Sequence, residues 1–520
     1  MSGRLKRVVV VGGGAAGWIT AGMIAAEHGG ESSAGPGVEV VLIESPDVEI
    51  IGVGEGTWPT MRMTLSRLGV RETDFVRECD ASFKQGTKFL RWTTGAAGEF
   101  YYHPFTLPQD YLRTNLASAW IAGAGDTPFA DAVCPQIHVC EKGLAPKQTA
   151  TPEYALVVNY GYHLDAGKFA KFLTRHCTGA LGVRHVRDHV ACVNPDENGD
   201  IASLSTRDNG DIAGDLFIDC TGFSGLLLRR HFGVGFIDRK DVLFIDRALA
   251  VQIPYAAEDS PVASTTLSTA QSAGWIWDIG LPTRQGVGHV YSSAHISDAA
   301  AEDELEAYVQ RLPGAGGAAV SPRKISISPG HCETFWRRNC VAVGMAAGFL
   351  EPLEASALVM IELSAQMIAE NLPASRDAMD FAARRYNEKM RYHWDGVIDF
   401  LKLHYVLSQR TDSAFWRDNR ADETIPESLR ERLHVWRGRP PWRQDFDRVD
   451  EVFSSASYQY VLYGMNFRTR PAFASRSDAR ERADAAFAEV VRKKAQMAAA
   501  LPSTRALIDA VKASGLPSGE

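Results

Sequence analysis

The sequence has little of what marks secreted, membrane-spanning or metal-held chains. Its 520 residues include eight cysteines, scattered and without a Cys-x-x-Cys pair. The closest two, Cys134 and Cys140, are not at a zinc spacing. They read as reduced thiols buried as small apolar side chains, and no metal site is expected. No apolar run reaches the ~18 residues of a spanning helix. The early run at residues 8–11 is shorter than a signal-peptide core. A cytoplasmic protein with no membrane contact is therefore expected. Positive charge is not in excess: 55 Lys and Arg stand against 63 Asp and Glu, a formal net charge of −8. That disfavours nucleic acid as a main partner. No internal repeat or long low-complexity tract is present. What remains is an ordinary globular balance, 45% hydrophobic and 23% charged, in a chain long enough for two or three packed modules.

The first positive signal is at the start. Residues 7–11 are a β-branched run, as in a buried parallel strand. Gly12, Gly14 and Gly17 follow as G-x-G-x-x-G, with Ala15 and Ala16 between. Residues 18–27 read as a helix of small and apolar residues. The first glycine permits a tight turn, the second lets backbone approach a pyrophosphate, and the third lets helix pack on strand. A second strand at residues 38–43 ends at Glu44, a carboxylate suited to a ribose hydroxyl. Strand, glycine turn, helix, strand and acid in that order predict a dinucleotide site, without separating FAD from NAD.

Two later segments favour FAD. Residues 216–222 read as a strand ending in Asp219 and a turn. Residues 339–348 read as a strand meeting Gly344 at a helix start. Flavin folds of the hydroxylase type bring such strands back to the cofactor late in the chain. A separate NAD(P)H site would need a second fingerprint, and the only candidate, residues 314–317, reads as a loop. The expected class is α/β: an FAD-binding, hydroxylase-like Rossmann-type βαβ module with inserted mixed β-sheet segments over residues 1–375, then a mostly helical module over residues 376–520.

Five further segments carry chemistry. They are Ile51-Gly-Val-Gly-Glu-Gly-Thr57, Ala81-Ser-Phe-Lys-Gln-Gly86, Tyr101-Tyr-His-Pro-Phe105, Gly274-Trp-Ile-Trp-Asp-Ile279 and Gly348-Phe-Leu-Glu-Pro-Leu-Glu-Ala-Ser356. Read alone, each has an ordinary structural explanation: a solvated lysine, a core histidine, or alternate tryptophans packing one face of a strand. Together they resemble the flavin-dependent halogenases of the tryptophan-halogenase type, from about residue 7 to about residue 470.

That resemblance implies roles. Lys84 and Glu354 map onto the family's catalytic pair. Gly52, Gly54, Glu55, Gly56 and Thr57 map onto its flavin loop, and Gly344 and Leu350 join the flavin contacts. His103 and Phe105 map onto the pair flanking the indole ring, with Trp275, Trp277, Pro352 and Tyr458 as further substrate-side positions. Ser356 and Ala357 stand at the halide site, where the family's usual Ser-Thr-Gly is replaced by Ala-Ser-Ala-Leu over residues 355–358. The W-x-W segment departs at Gly280, where proline is usual. Glu351 reads as a structural carboxylate near a helix start, and residues 162–166 and 415–417 as structural landmarks.

The resemblance thins over residues 376–520, where helical periodicity recurs at 381–407 and 475–500. The tyrosine-rich, acidic loop by which relatives hold free tryptophan corresponds here to a basic, proline-rich stretch at 436–450. The run at 453–459 keeps Tyr458 but lacks the expected tryptophan and asparagine. A buried polar clamp discriminates strongly, so its loss favours indole or an indole derivative over free tryptophan. The expected activity is FADH₂- and O₂-dependent halogenation, by chloride or bromide, through hypohalous acid passed to Lys84. A separate flavin reductase would supply FADH₂, and a homodimer fits the family. The alternatives are an aromatic hydroxylase on the same flavin fold and a non-catalytic flavin-binding module.

Overall fold

A computed structural model describes residues 4–30, 37–48, 54–123, 127–314, 321–446, 451–473 and 477–518. Gly52, of the expected flavin loop, lies outside them, as do residues 315–317.

The β-branched strand Arg7–Val11 lies inside a six-stranded sheet. It is flanked in parallel by Glu39–Glu44 and by Leu216–Asp219, the first close in sequence and the second late. Cys340–Ala342 extends the parallel set, and Arg184–Arg187 adds to the other side. Val8, Val9 and Val10 have no exposed surface, as expected of a strand covered on both faces. The helix Ala15–His28 follows the glycine turn and packs on the helix Ser356–Glu370. The segment after Cys340–Ala342 turns through a single 3₁₀ turn at Gly344–Ala346. The α-helix comes only at Ser356, later than the expected helix start.

The second layer is a seven-stranded mixed sheet. Its order is Arg323–Ser326, Arg247–Pro254, Arg284–Tyr291, Gly274–Gly280, Thr266–Ala270, Gly86–Leu90, Phe100–Pro104. All pairings are antiparallel except Thr266–Ala270 with Gly86–Leu90. A short three-stranded sheet, Gly54–Gly56, Gly161–Asp165 and Ser82–Lys84, joins the flavin-loop segment to the lysine segment.

From residue 376 on, the described residues form only helices, turns and loops. The 32-residue helix Arg376–Leu407 is the longest. Its stretch 397–405 is buried on every side, as for a helix run through a core rather than over it. One hydrophobic cluster extends from Leu5 to Leu516, so the helical segment shares its core with the flavin-type module. No described helix is long and apolar enough to cross a membrane. All eight cysteines are free, and Cys192 is exposed on an outer strand, contrary to the expected burial.

Candidate active site

The glycine turn is built for a close-lying ligand. Gly12 has φ +120, and a Cβ there would sit 2.2 Å from the Cys220 carbonyl oxygen. A Cβ on Gly17 would sit 1.8 Å from the Gly12 carbonyl oxygen, while one on Gly14 would meet nothing within 4 Å. The helix Ala15–His28 begins at Gly14 with no side-chain cap. Its first N–H groups thus have no side-chain acceptor at the cap, the arrangement that receives a phosphate. Glu44 ends its strand with one carboxylate oxygen 2.8 Å from His185 Nε2. Gly344, at φ +68, approaches Ala16 from the far side. Glycine fingerprint, uncapped helix and strand-end acid together fit a flavin dinucleotide. Gly12→Ala is expected to weaken FAD binding roughly 10- to 100-fold through backbone strain, read by titrating FAD absorbance. Wild-type affinity would remove the turn from the cofactor site.

A cavity of 180 Å³ joins the flavin-loop segment Gly54–Gly56 to the lysine segment. One wall is a face of the seven-stranded sheet, including Trp275, Trp277, Thr266 and Thr87; the other includes Gly54, Glu55, Gly56, Pro352, Ala355 and Ala357. Period two along the strand Gly274–Gly280 puts both tryptophans on the cavity side, ring centroids 6.4 Å apart. Burial pushes the Glu55 carboxyl up to about 7.

Lys84 and Glu354 line the same cavity. Lys84 is 1% exposed. Its ammonium makes no hydrogen bond or ion pair among the described residues, and lies 5.4 Å from the Phe105 ring centre. A Cβ on Gly56 would come within 3.0 Å of it, so glycine there leaves the lysine room. Burial brings its pKa down to about 8, against the opposing pull of the Glu354 charge. Glu354 is reached through two consecutive left-handed residues, Glu354 at φ 63 and Ala355 at φ 54, an uncommon conformation for residues with a Cβ. The bend is pinned by Trp58, whose indole N–H donates to the Glu354 carbonyl at 2.8 Å. The Glu354 carboxylate meets His103 Nδ1 at 2.8 Å and His404 Nε2 at 3.2 Å. Burial alone would raise its pKa, but the charge and hydrogen bonds of these histidines hold it near 2.

The tryptophan halogenase family model matches residues 7–479. The chain belongs to the tryptophan halogenase family. It is 48% identical to a tryptophan halogenase from Shewanella frigidimarina NCIMB 400, with a TM-score of 0.96 and 99% of each chain covered. It is 32% identical to a 7-chloro-L-tryptophan 6-halogenase of Kutzneria sp. (strain 744), over 95% of this chain and 98% of that relative. BrvH, a flavin-dependent halogenase from Brevundimonas sp. BAL3, is 32% identical with a TM-score of 0.84, 98% of this chain and 99% of that chain being covered. The α/β flavin-binding fold with a helical C-terminal region is that of the family.

Around Lys84 and the Glu354–His103 pair this halogenase gathers aromatic side chains from distant segments. His103 lies 6.4 Å from Phe453, 5.6 Å from Phe400 and 6.2 Å from Tyr460, centre to centre. Phe105 lies 6.2 Å from Trp58. On the helix Ser455–Gly464 it is Tyr460 that packs on His103. Two residues apart on that helix is about 200°, so the two tyrosines point in different directions. Tyr458 instead packs behind Phe400 and bonds Arg432. Asp219 is spent on its own turn, accepting from Thr221 N and Oγ1 and from Leu227 N and Leu228 N. It shapes the loop and has no acceptor position left for a cofactor hydroxyl. The Thr57 hydroxyl accepts from Tyr162 N and donates to the Trp58 carbonyl. Leu350 is buried, and Ser356 and Ala357 open the helix Ser356–Glu370, which has no side-chain cap.

The site also contains side chains whose contacts residue order does not show. His404 is one, with its second ring nitrogen 2.9 Å from the Phe400 carbonyl. Both nitrogens thus meet oxygens. Glu351 accepts from Trp275 Nε1 at 2.7 Å and from Tyr405 OH at 2.6 Å, so it holds the first tryptophan of the tandem. Lys402, on the same helix, is fully buried. The available signal was three polar side chains inside the apolar run 397–407, which on a buried helix must each have a partner.

Proposed function

We propose that this enzyme halogenates an electron-rich aromatic, indole or an indole derivative, with chloride or bromide, by way of hypohalous acid held at Lys84. The supporting observation is a buried, unpartnered lysine that shares one cavity with the flavin-loop segment and stands beside a histidine-clamped carboxylate.

Gly12, Gly14, Ala15, Ala16, Gly17, Glu44, Gly54 to Thr57, Gly344 and Leu350 would hold FAD, and the backbone at Ser356 and Ala357 a halide. Reduced FAD, supplied by a separate flavin reductase, provides with O₂ the two-electron oxidation that turns halide into hypohalous acid. The protein's part is position and proton movement. The two tryptophans and the apolar sheet face keep the substrate away from the flavin side. Lys84 is the only charged donor offered at the cavity by the described residues lining it. In its cationic form it hydrogen-bonds the oxygen of hypohalous acid and gives that oxygen a proton as it leaves as water. The ring carbon takes the halogen, and Glu354 receives the ring proton. A pKa near 2 is no obstacle, because a protonated arene is a far stronger acid.

The indole preference rests on the loop near residue 445. Its carboxylate Asp445 accepts from Trp436 Nε1, Arg439 and Trp442 N, and so is not open to an ammonium tail. The deciding assay combines FAD, a reductase, NADH, O₂ and either indole or tryptophan, with chloride or bromide, and reads the halogen isotope pattern by mass spectrometry. A hydroxylated product would favour the hydroxylase reading; flavin binding without product would favour the non-catalytic one.

The Lys84 donor role gives a pH prediction. A lysine at about 8 is cationic below that pH and loses its proton above it. Product formation at saturating substrate should therefore decline as pH rises through about 8. An increase over the same range would instead mean that the neutral amine attacks halogen to form a haloamine.

A further inference from the structure

The face of the seven-stranded sheet that lines the cavity is not uniform. Over Ile325, Ala248, Val290, Trp275, Trp277 and Ile279 it is apolar. It turns polar at the two strands nearest Lys84. Thr266 pairs with Thr87, and Thr87 pairs with His103 on the next strand. Neighbouring strands are ~4.8 Å apart, so the three side chains form a row from the cavity to the histidine that bonds Glu354. Thr87 and Thr266 are 2% and 8% exposed, and both line the cavity.

Behind Thr266 lies His163, fully buried, its Nε2 2.8 Å from the threonine oxygen and its Nδ1 without a partner. Burial and the nearby Lys84 charge push its pKa well down, so the ring is neutral and has one N–H. If that proton were on Nδ1, a buried donor would be orphaned, the rarer and costlier arrangement. With the proton on Nε2, the ring donates to the Thr266 oxygen. The threonine hydroxyl hydrogen is then left to point into the cavity. Buried hydroxyls normally find a partner within the protein; here the free direction is toward the passage.

We propose that Thr266 and Thr87, with His163 fixing the first, form a binding station for hypohalous acid on its way to Lys84. This rests on the halogenase mechanism above. Hypohalous acid is small, neutral, and both donor and acceptor. Hydroxyls on this face, those of Thr266 and Thr87 with Ser268 on the same strand as Thr266, suit a molecule of that kind. The station would hold the oxidant in the cavity that Lys84 lines and lower its escape.

The test measures the fate of oxidising equivalents in wild type, Thr266→Val, Thr266→Ser and Thr87→Val, each with FAD, reductase, O₂, bromide and an aromatic that the wild type halogenates. A soluble 1,3-diketone traps escaped hypohalous acid. FAD binding and thermal melting are read alongside, so that a misfolded variant is recognised. The expected result is a several-fold fall in the ratio of halogenated aromatic to trapped halogen for Thr266→Val, a smaller fall for Thr87→Val, and a wild-type ratio for Thr266→Ser, with flavin oxidation continuing in all. A wild-type ratio in Thr266→Val overturns the station and leaves the mechanism standing. Equal loss in Thr266→Ser and Thr266→Val, with FAD bound, overturns it as well, because the hydroxyl is then not the cause. A wild type that halogenates no aromatic removes the mechanism itself.

Discussion

Lys84→Ala is expected to abolish halogenated product, by at least about 100-fold, while flavin oxidation continues and free hypohalous acid reaches solution. Loss of a positioned proton donor alone accounts for about 10²–10⁴ in rate, and loss of the group holding the electrophile adds to it. The structure makes the result specific. Lys84 is buried and unpartnered, and Gly56 leaves space at its tip. A second effect should run the other way. A lysine whose pKa falls from 10.5 to about 8 has its charged form disfavoured in the folded state. That cost is present below pH 8 and is relieved as pH rises from about 8 toward 10.5. At about 1.4 kcal/mol per unit, it amounts to roughly 3 kcal/mol at neutral pH. Lys84→Met, similar in shape and apolar, should therefore melt at a higher temperature than wild type while making no product. A destabilised Lys84→Met would mean that the lysine has a partner in solution that stabilises it.

Glu354→Gln is the second large effect. It keeps shape and hydrogen-bonding capacity but removes the charge. Three consequences follow from the contacts. Only an amide oxygen then remains to meet His103 and His404. Lys84 loses the neighbouring charge that opposes its downward shift, so it loses its proton at a still lower pH. The ring proton loses its acceptor. Product formation should fall about 10²- to 10⁴-fold, and the decline with pH should move below that of the wild type. Substrate affinity should change far less, since the aromatic wall of Phe105, Phe400, Phe453 and Tyr460 is untouched. An unchanged rate with a raised KM would make Glu354 a substrate-holding group instead. Reading the pH profile as well as the rate distinguishes loss of the base from mere disturbance of the strained turn at Glu354 and Ala355.

The two variants bear on different parts of one cavity, and legibility in the sequence divides along a similar line. The glycine fingerprint, its strand and Glu44 were readable because each depends on residues within a few positions of one another, where turn and strand geometry are fixed by local sterics. Lys84, Glu354, His103 and Phe105 were readable only through resemblance. Nothing in the spacing of residues 84, 103 and 354 indicates that they meet. That Tyr460 packs on His103 depends on helix phase, which residue order alone does not show. The turn at Asp219, with four donors closing on its carboxylate, cannot be seen from a strand-end aspartate.

The sequence by itself determined the fold class, the dinucleotide fingerprint and the segments that carry the family's chemistry. These follow from local periodicity and from short motifs whose residues act together. Only the tertiary structure decided that Glu354 is clamped by two histidines, one from the strand Phe100–Pro104 and one from the helix Arg376–Leu407, and that Glu351 holds Trp275. It also decided that a row of hydroxyls leads from the cavity toward His103. The reason is physical: charge state and hydrogen-bond partnership depend on burial and on groups brought together from far along the chain. Strand pairing and helix packing set both, and local residue order does not.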